Sequence, residues 1–198
     1  MTRIIAGFAG SLALRVPSSG TRPTSDRVRE ALFSALEARD VLRGARVVDL
    51  YAGSGALGLE AASRGAASVV LVERASAAAA DCRRNAAAVL RNAPRDAPPR
   101  VEVAAQAVGA YLATAAATWD LALVDPPYDL GAAELTAALG LLAPRLADDA
   151  LVVVERRTRD GEPGWPDHLE PERSRAYGDT TLWYATRVAQ PARPDQPA

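Results

Sequence analysis

From residue 46 onward the chain alternates short apolar runs with alanine-rich stretches of helical length, and this alternation limits what it can fold into. Arg46–Leu50, Ser68–Glu73, Leu121–Asp125 and Leu151–Glu155 are nearly continuous in Val, Leu and Ala. A strand with one wet face would alternate apolar and polar residues, whereas unbroken runs suit strands buried on both faces of a parallel sheet. Val101–Ala104 is a fifth strand candidate, and Asn92–Arg100, with three prolines, reads as the loop before it. Between the strands, Gly55–Arg64, Ala75–Arg91, Ala107–Ala116 and Gly131–Leu142 read as helices. Strand and helix in alternation give an α/β fold with a doubly wound, mostly parallel sheet.

Both ends break the pattern. Arg3–Ala6 and Ser11–Val16 are short strand candidates flanking glycines, followed by a loop at residues 17–20. Ser25–Ala38 reads as a helix capped by Thr24 or Ser25, with Val28, Leu32 and Leu36 on one face. Arg156–Pro171 is polar and rich in Gly and Pro, hence loop; Ser174–Tyr177 and Thr181–Val188 read as two strands about a Gly178-Asp179 turn. The expected organisation is an N-terminal extension over residues 1–40, an α/β domain over 41–189 and a disordered proline-rich tail over 190–198.

A chain of 198 residues is long enough for one full core. No apolar stretch approaches a membrane span and the N-terminus lacks a long apolar signal region, so a cytoplasmic protein, not a membrane one, is expected; a monomer is compatible with the sequence. Cys82 is the single cysteine and His168 stands alone in a polar loop, so neither a disulfide framework nor a metal is expected. Trp119, Trp165 and Trp183 read as packing residues.

The first sheet strand runs into Asp49-Leu50-Tyr51-Ala52-Gly53-Ser54-Gly55-Ala56-Leu57-Gly58. Glycines there allow a tight turn and a close approach to a ligand, and the helix that follows offers free N–H groups. Glu73 ends the next strand, about 20 residues past Gly53, where an acid can bind ribose hydroxyls. Together these describe a site for a nucleoside-bearing cofactor. Gly53, Gly55 and Gly58 match the spacing of a dinucleotide loop, but Asp49 just before it would repel a pyrophosphate and suit the cationic ammonium or sulfonium of S-adenosylmethionine (SAM). Asp49 can equally hold the loop through backbone N–H groups. Tyr51 and Ser54 lie within the same loop.

Asp125-Pro126-Pro127-Tyr128 closes the apolar run Leu121–Val124. Neither proline has an N–H, and an ionised carboxylate and backbone carbonyls only accept. Such a loop suits a planar NH2 group on a ring, with Asp125 and the Pro126 carbonyl accepting its hydrogens and Tyr128 stacking on the ring. The bland reading is a Pro-Pro stop that merely ends a buried strand.

Net charge is −1, which argues against a general nucleic-acid coat protein. All basic residues are Arg, in step with the excess of Ala, and this reads as coding bias. Residues 1–30 nevertheless hold Arg3, Arg15, Arg22, Arg27 and Arg29 against Asp26 and Glu30. That segment is the best candidate for phosphate contact; the plain alternative is a solvated helix face with an Arg29 ion pair.

Asp49–Gly65 resembles the first motif of the RsmD family, and so do Thr2–Gly7, Arg22–Phe33, Asp125–Tyr128 and Tyr177–Thr180. The likeness runs from about residue 2 to about 188. It implies a class I, Rossmann-like SAM-dependent methyltransferase acting on a guanine N2 of 16S, small-subunit ribosomal RNA, naked or within a small ribosomal subunit. By that resemblance Asp125, Pro126 and Tyr128 are catalytic, and Asp49, Tyr51, Gly53, Ser54, Gly55, Glu73 and Asp125 bind SAM. Arg3, Arg15, Arg22, Thr24, Arg27, Pro127 and Tyr128 meet the RNA. Two departures stand out. Of the basic run near Gly10 only Arg15 remains, and Ala105-Gln106-Ala107 leaves Gln106 or backbone to meet the adenine amine. The acceptor loop also serves adenine N6 and cytosine N4 methyltransferases; a non-catalytic SAM-binding RNA chaperone and an NAD oxidoreductase are the readings from other classes.

Overall fold

The computed structural model describes residues 2–16 and 25–189; the 17–20 loop, Arg22, Thr24 and the 190–198 tail named above lie outside them. Seven strands form one sheet in the order β3-β2-β1-β4-β5-β7-β6. They are β1 (Arg46–Leu50), β2 (Ser68–Val72), β3 (Arg100–Ala104), β4 (Trp119–Val124), β5 (Leu146–Arg157), β6 (Leu169–Tyr177) and β7 (Thr180–Arg187). The first five are parallel, while β7 runs antiparallel to β5 and to β6. Helices α1 (Asp26–Ala38), α2 (Ala56–Ser63), α3 (Ser76–Leu90), α4 (Val108–Thr114) and α5 (Ala132–Leu142) cover the two faces. Leu32, Phe33, Leu59, Cys82 and Val89 pack on one face with Val47, Leu123 and Val153. Val108, Leu112, Leu135 and Leu139 pack on the other with Val48, Val124 and Val154. Strand order reverses between β1 and β4, and a doubly wound sheet opens a ligand crevice at the carboxyl ends of the strands at such a point. Asp49 and Asp125 sit there.

Two strands are longer than the apolar pattern indicates. β5 continues to Arg157 because Arg156 and Arg157 pair with Thr181 and Thr180 of β7, main-chain bonding that leaves no hydrophobic signature. β6 begins at Leu169, inside the expected loop. It is an edge strand with nearly every side chain exposed, and a register shift between Pro171 and Arg173 accommodates the proline.

The N-terminal segment is a tight hairpin rather than two strands. It has one bridge, Arg3 to Ala13, with Ile4 N donating to Leu12 O at 2.9 Å and Leu14 N to Thr2 O at 2.9 Å. Its hold on the molecule comes from α2. The buried Glu60 carboxylate accepts from the amides of Ile5 (2.6 Å) and Ala6 (3.0 Å) and from Arg64 Nε (2.6 Å), so its charge is matched without water. Ser63 Oγ accepts from Ala9 N (2.9 Å) and donates to Ala6 O (2.6 Å). Gly7 makes this docking possible: its φ is +80°, and a Cβ there would lie 1.9 Å from the Ser63 carbonyl oxygen. Gly7→Ala is expected to destabilise the protein by about 1–3 kcal/mol, the cost of one strained backbone position. Urea unfolding checks this; an unchanged midpoint would mean that the hairpin is not docked on α2 as described.

Candidate functional site

Four acids stand at or just past the carboxyl ends of neighbouring strands: Asp49 in β1, Glu73 after β2, Asp125 after β4 and Glu155 in β5. Asp49 is 1% exposed. Its Oδ2 accepts from Gly58 N at 2.8 Å, and its Oδ1 has no hydrogen-bond partner. Burial above all raises its pKa, to about 8; the Gly58 amide opposes this, and the charges of Asp125 and Glu73 add to it. A half-satisfied buried carboxylate calls for a cation or a donor.

The loop above Asp49 takes left-handed backbone at Tyr51 (φ 64°), Gly53 (φ 56°) and Gly55 (φ 77°), and Gly55 N closes it onto Ala52 O at 2.7 Å. Gly55 precedes α2 and supplies no side-chain cap; Gly58 N is taken by Asp49, and the amides of Ala56 and Leu57 are left to a ligand. Gly58 serves packing instead: a Cβ there would sit 2.3 Å from Leu71 Cδ2 and 3.1 Å from Asp49 Cβ. Glu73 is bound into the loop, its Oε2 accepting from Gly53 N (2.9 Å) and its Oε1 from Ala75 N (2.7 Å). Burial holds the Tyr51 hydroxyl protonated, its pKa raised to about 12. Gln106 is exposed, in the connection between β3 and α4.

Asp125 N donates to Leu50 O at 3.3 Å, tying the second motif to β1. Pro126 is buried, Pro127 partly so, and Tyr128 is 42% exposed. Arg157 braces the tyrosine: its Nη2 donates to the Tyr128 carbonyl at 2.6 Å, its guanidinium lies 5.0 Å from the ring centroid, and its Nε meets Asp160 at 3.0 Å. Beside this loop opens a cavity of about 830 Å3, lined among others by Val28, Tyr128, Glu155, Arg157, Tyr177 and Asp179. Residues from α1, the end of β5 and the β6–β7 turn therefore converge on Tyr128.

Of the basic residues, Arg3, Arg15 and Arg27 are exposed, with Arg3 Nε 3.8 Å from Asp26. Arg29 is buried and donates to Arg3 O and Asp26 Oδ1, both at 2.7 Å, so it ties the extension together. Ser25 is the cap of α1, accepting from Val28 N at 3.3 Å. Asn85 of α3 links arm to loop. It accepts from Arg15 N, donates to Arg15 O and donates to Ser54 O, each at 2.9 Å.

The model of the family described as Conserved hypothetical protein 95 matches residues 2–186. Ribosomal RNA small subunit methyltransferase D of Escherichia coli K12 is 37% identical over 191 residues, 95% of this chain and 91% of that protein. The chain belongs to the RsmD family. The solved structure of the Escherichia coli yhhF protein is 34% identical, with a TM-score of 0.82 over 96% of this chain and 99% of that one. Magnesium protoporphyrin IX methyltransferase from Synechocystis, solved with bound SAM, is 15% identical with a TM-score of 0.64 over 82% of this chain and 79% of that one. The shared fold is that of the class I methyltransferases.

Within this RsmD-family chain, sequence reasoning alone misses Glu155, Arg157 and Asn85. Glu155 carries a signal, an acid ending an apolar strand as Asp49 and Asp125 do. Asn85 carries a weaker one, an amide in an otherwise alanine-rich helix. Arg157 lies in a stretch that reads as loop, and nothing local marks it.

Proposed function

We propose that the protein transfers a methyl group from SAM to the exocyclic N2 of a guanine in 16S ribosomal RNA. The observation that carries this reading is the acceptor-only loop, Asp125 to Tyr128, which follows β4 beside the Asp49 strand at the switch point of the sheet and whose Tyr128 lines the cavity. The donor set fits SAM: the orphaned Asp49 Oδ1 suits a cation, and the Ala56 and Leu57 amides and Glu73 suit carboxylate and hydroxyl groups. When bound, SAM supplies an electrophilic methyl group. The chain's part is to hold the amine. Asp125 and the Pro126 carbonyl accept its two hydrogens, favour a pyramidal nitrogen and offset the positive charge that develops on it as the S–CH3 bond breaks and the N–CH3 bond forms; one of the hydrogens then leaves as a proton by way of the Asp125 carboxylate. Tyr128 stacks on the base, which must leave its helix to reach the site. The Escherichia coli relative's name supports small-subunit ribosomal RNA as substrate.

Small-subunit particles and naked 16S RNA from cells lacking the protein, treated with enzyme and SAM, are expected to yield N2-methylguanosine on nucleoside mass spectrometry. N6-methyladenosine or N4-methylcytidine would replace this reading with the alternative amines.

The extension, residues 1–40, is the RNA-contacting part in this reading. Arg15→Glu with Arg27→Glu is expected to weaken RNA binding and to flatten its salt dependence by about one unit of slope for each phosphate no longer neutralised. SAM affinity should stay constant. RNA affinity unchanged at several salt concentrations would remove these residues from the interface.

A further inference from the structure

We propose that Glu155 is the specificity-determining residue that selects guanine, by accepting the hydrogen of the base's ring N1 beside the amine held at Asp125. The inference rests on the methyltransferase reading above. Val124 of β4 pairs with Val154 of β5 in parallel register, so the chain that leaves β4 at Asp125 starts out beside Glu155 of β5. Neighbouring strands lie about 4.8 Å apart, so carboxylates at the end of β4 and in β5 are close enough to flank one edge of a single base. Glu155 is 6% exposed, and it lines the cavity together with Tyr128, the stacking candidate.

The chemistry of the three nucleobase amines then separates them. Guanine N2 is flanked by N1–H, a donor. Adenine N6 is flanked by N1 and cytosine N4 by N3, both bare lone pairs. A carboxylate accepts and cannot donate, so at this position it pairs with guanine and repels the other two. A buried polar group left facing a lone pair is what makes such discrimination steep.

The test uses 2-aminopurine, which keeps the exocyclic 2-amine but has an unprotonated N1. The methylated guanine is first mapped in wild-type product, and 16S RNA is then assembled by ligation with guanine or 2-aminopurine at that position. Wild-type enzyme is expected to methylate the 2-aminopurine RNA at least about 100-fold less efficiently in kcat/KM, as a site built around a hydrogen bond rejects an analogue lacking it. Glu155→Gln supplies an amide donor for N1. It is expected to lose about 100-fold on guanine and to gain on 2-aminopurine, bringing the two within about tenfold, with SAM affinity unchanged. A purely structural role cannot produce that gain. Equal use of both RNAs by the wild type, or the same preference in wild type and variant, overturns the assignment. If Glu155→Gln does not fold, Glu155→Ala takes its place and is expected to lose on guanine and bring the two RNAs within about tenfold, an unchanged preference overturning the assignment. A wild-type product other than N2-methylguanosine overturns the function itself, whereas N2-methylguanosine made with no bias against 2-aminopurine overturns only the role of Glu155.

Discussion

Asp125→Ala is expected to lower single-turnover methyl transfer by roughly 1000-fold, the upper range for removing one preorganised group that stabilises charge in a transition state. SAM affinity should change by no more than a few-fold. The asymmetry follows from position. The Asp125 amide is tied to Leu50 O, and Pro126 is buried, so the backbone of the loop keeps its course without the carboxylate. What goes is the acceptor proposed to meet the amine. The lone pair of an exocyclic amine is delocalised into its ring, and only acceptors on its two hydrogens turn that lone pair toward an electrophile. Asp125→Asn separates geometry from charge, because it retains one acceptor oxygen but adds a donor where the amine already donates. Rapid-quench measurement with saturating SAM gives the rate, and calorimetry gives the affinity. A fully active alanine variant would remove Asp125 from the chemistry.

SAM binding should strengthen as pH rises from 6 to 8, by up to about tenfold per pH unit, and level off above 8. The cause is Asp49. In the free protein its pKa is raised to about 8 by burial first and by Asp125 and Glu73 in addition, so at neutral pH most molecules hold it protonated. A cationic ligand against Oδ1 favours the ionised form, and binding then requires loss of that proton. The stability of the free protein must move the other way. Its folded state binds a proton that the unfolded chain, with an ordinary aspartate pKa of 3.8, has released. This contribution is complete below about pH 4 and is lost as pH rises toward 8. Alkaline buffer therefore weakens the free fold while tightening the complex. Asp49→Asn keeps an acceptor for Gly58 N and removes both slopes, and it should bind SAM about 10- to 100-fold more weakly, in line with removal of a charge-assisted hydrogen bond. Calorimetric titrations at pH 6, 7 and 8, with thermal unfolding in the same buffers, check both signs. A flat affinity profile for the wild type would detach Asp49 from the cation.

Several side chains have a second job that local sequence does not show. Glu73, expected to meet ribose, also accepts from Gly53 N and Ala75 N, so it shapes the loop it would help to fill. Cys82, expected as a small packing residue, is buried with its Sγ 3.1 Å from Gly53 O. In sequence Asp49 is open between ligand and loop support; one oxygen takes the loop-supporting bond, on Gly58 N, and the other is buried without a partner. Arg29, which fits either a phosphate-binding run or an ion pair, is in the ion pair and buried. Arg3–Ala6 and Ser11–Val16 suggest strands by sequence, yet most of the hydrogen bonds that residues 2–14 make beyond the hairpin involve Glu60 and Ser63 of α2.

By itself the sequence determined the layered α/β architecture, the loop that follows β1 and the acceptor loop that follows β4. These depend on local quantities: strand burial on both faces, glycine backbone freedom, and prolines that lack an N–H. Only the tertiary structure decided which distant groups meet. Glu155 stands beside the end of β4 because of strand register, Arg157 reaches Tyr128 because β5 continues through main-chain pairing with β7, and Asn85 of α3 joins Arg15 of the N-terminal segment to Ser54 of the loop. Register and packing are cooperative properties of the whole sheet, and no window of residues along the chain contains them.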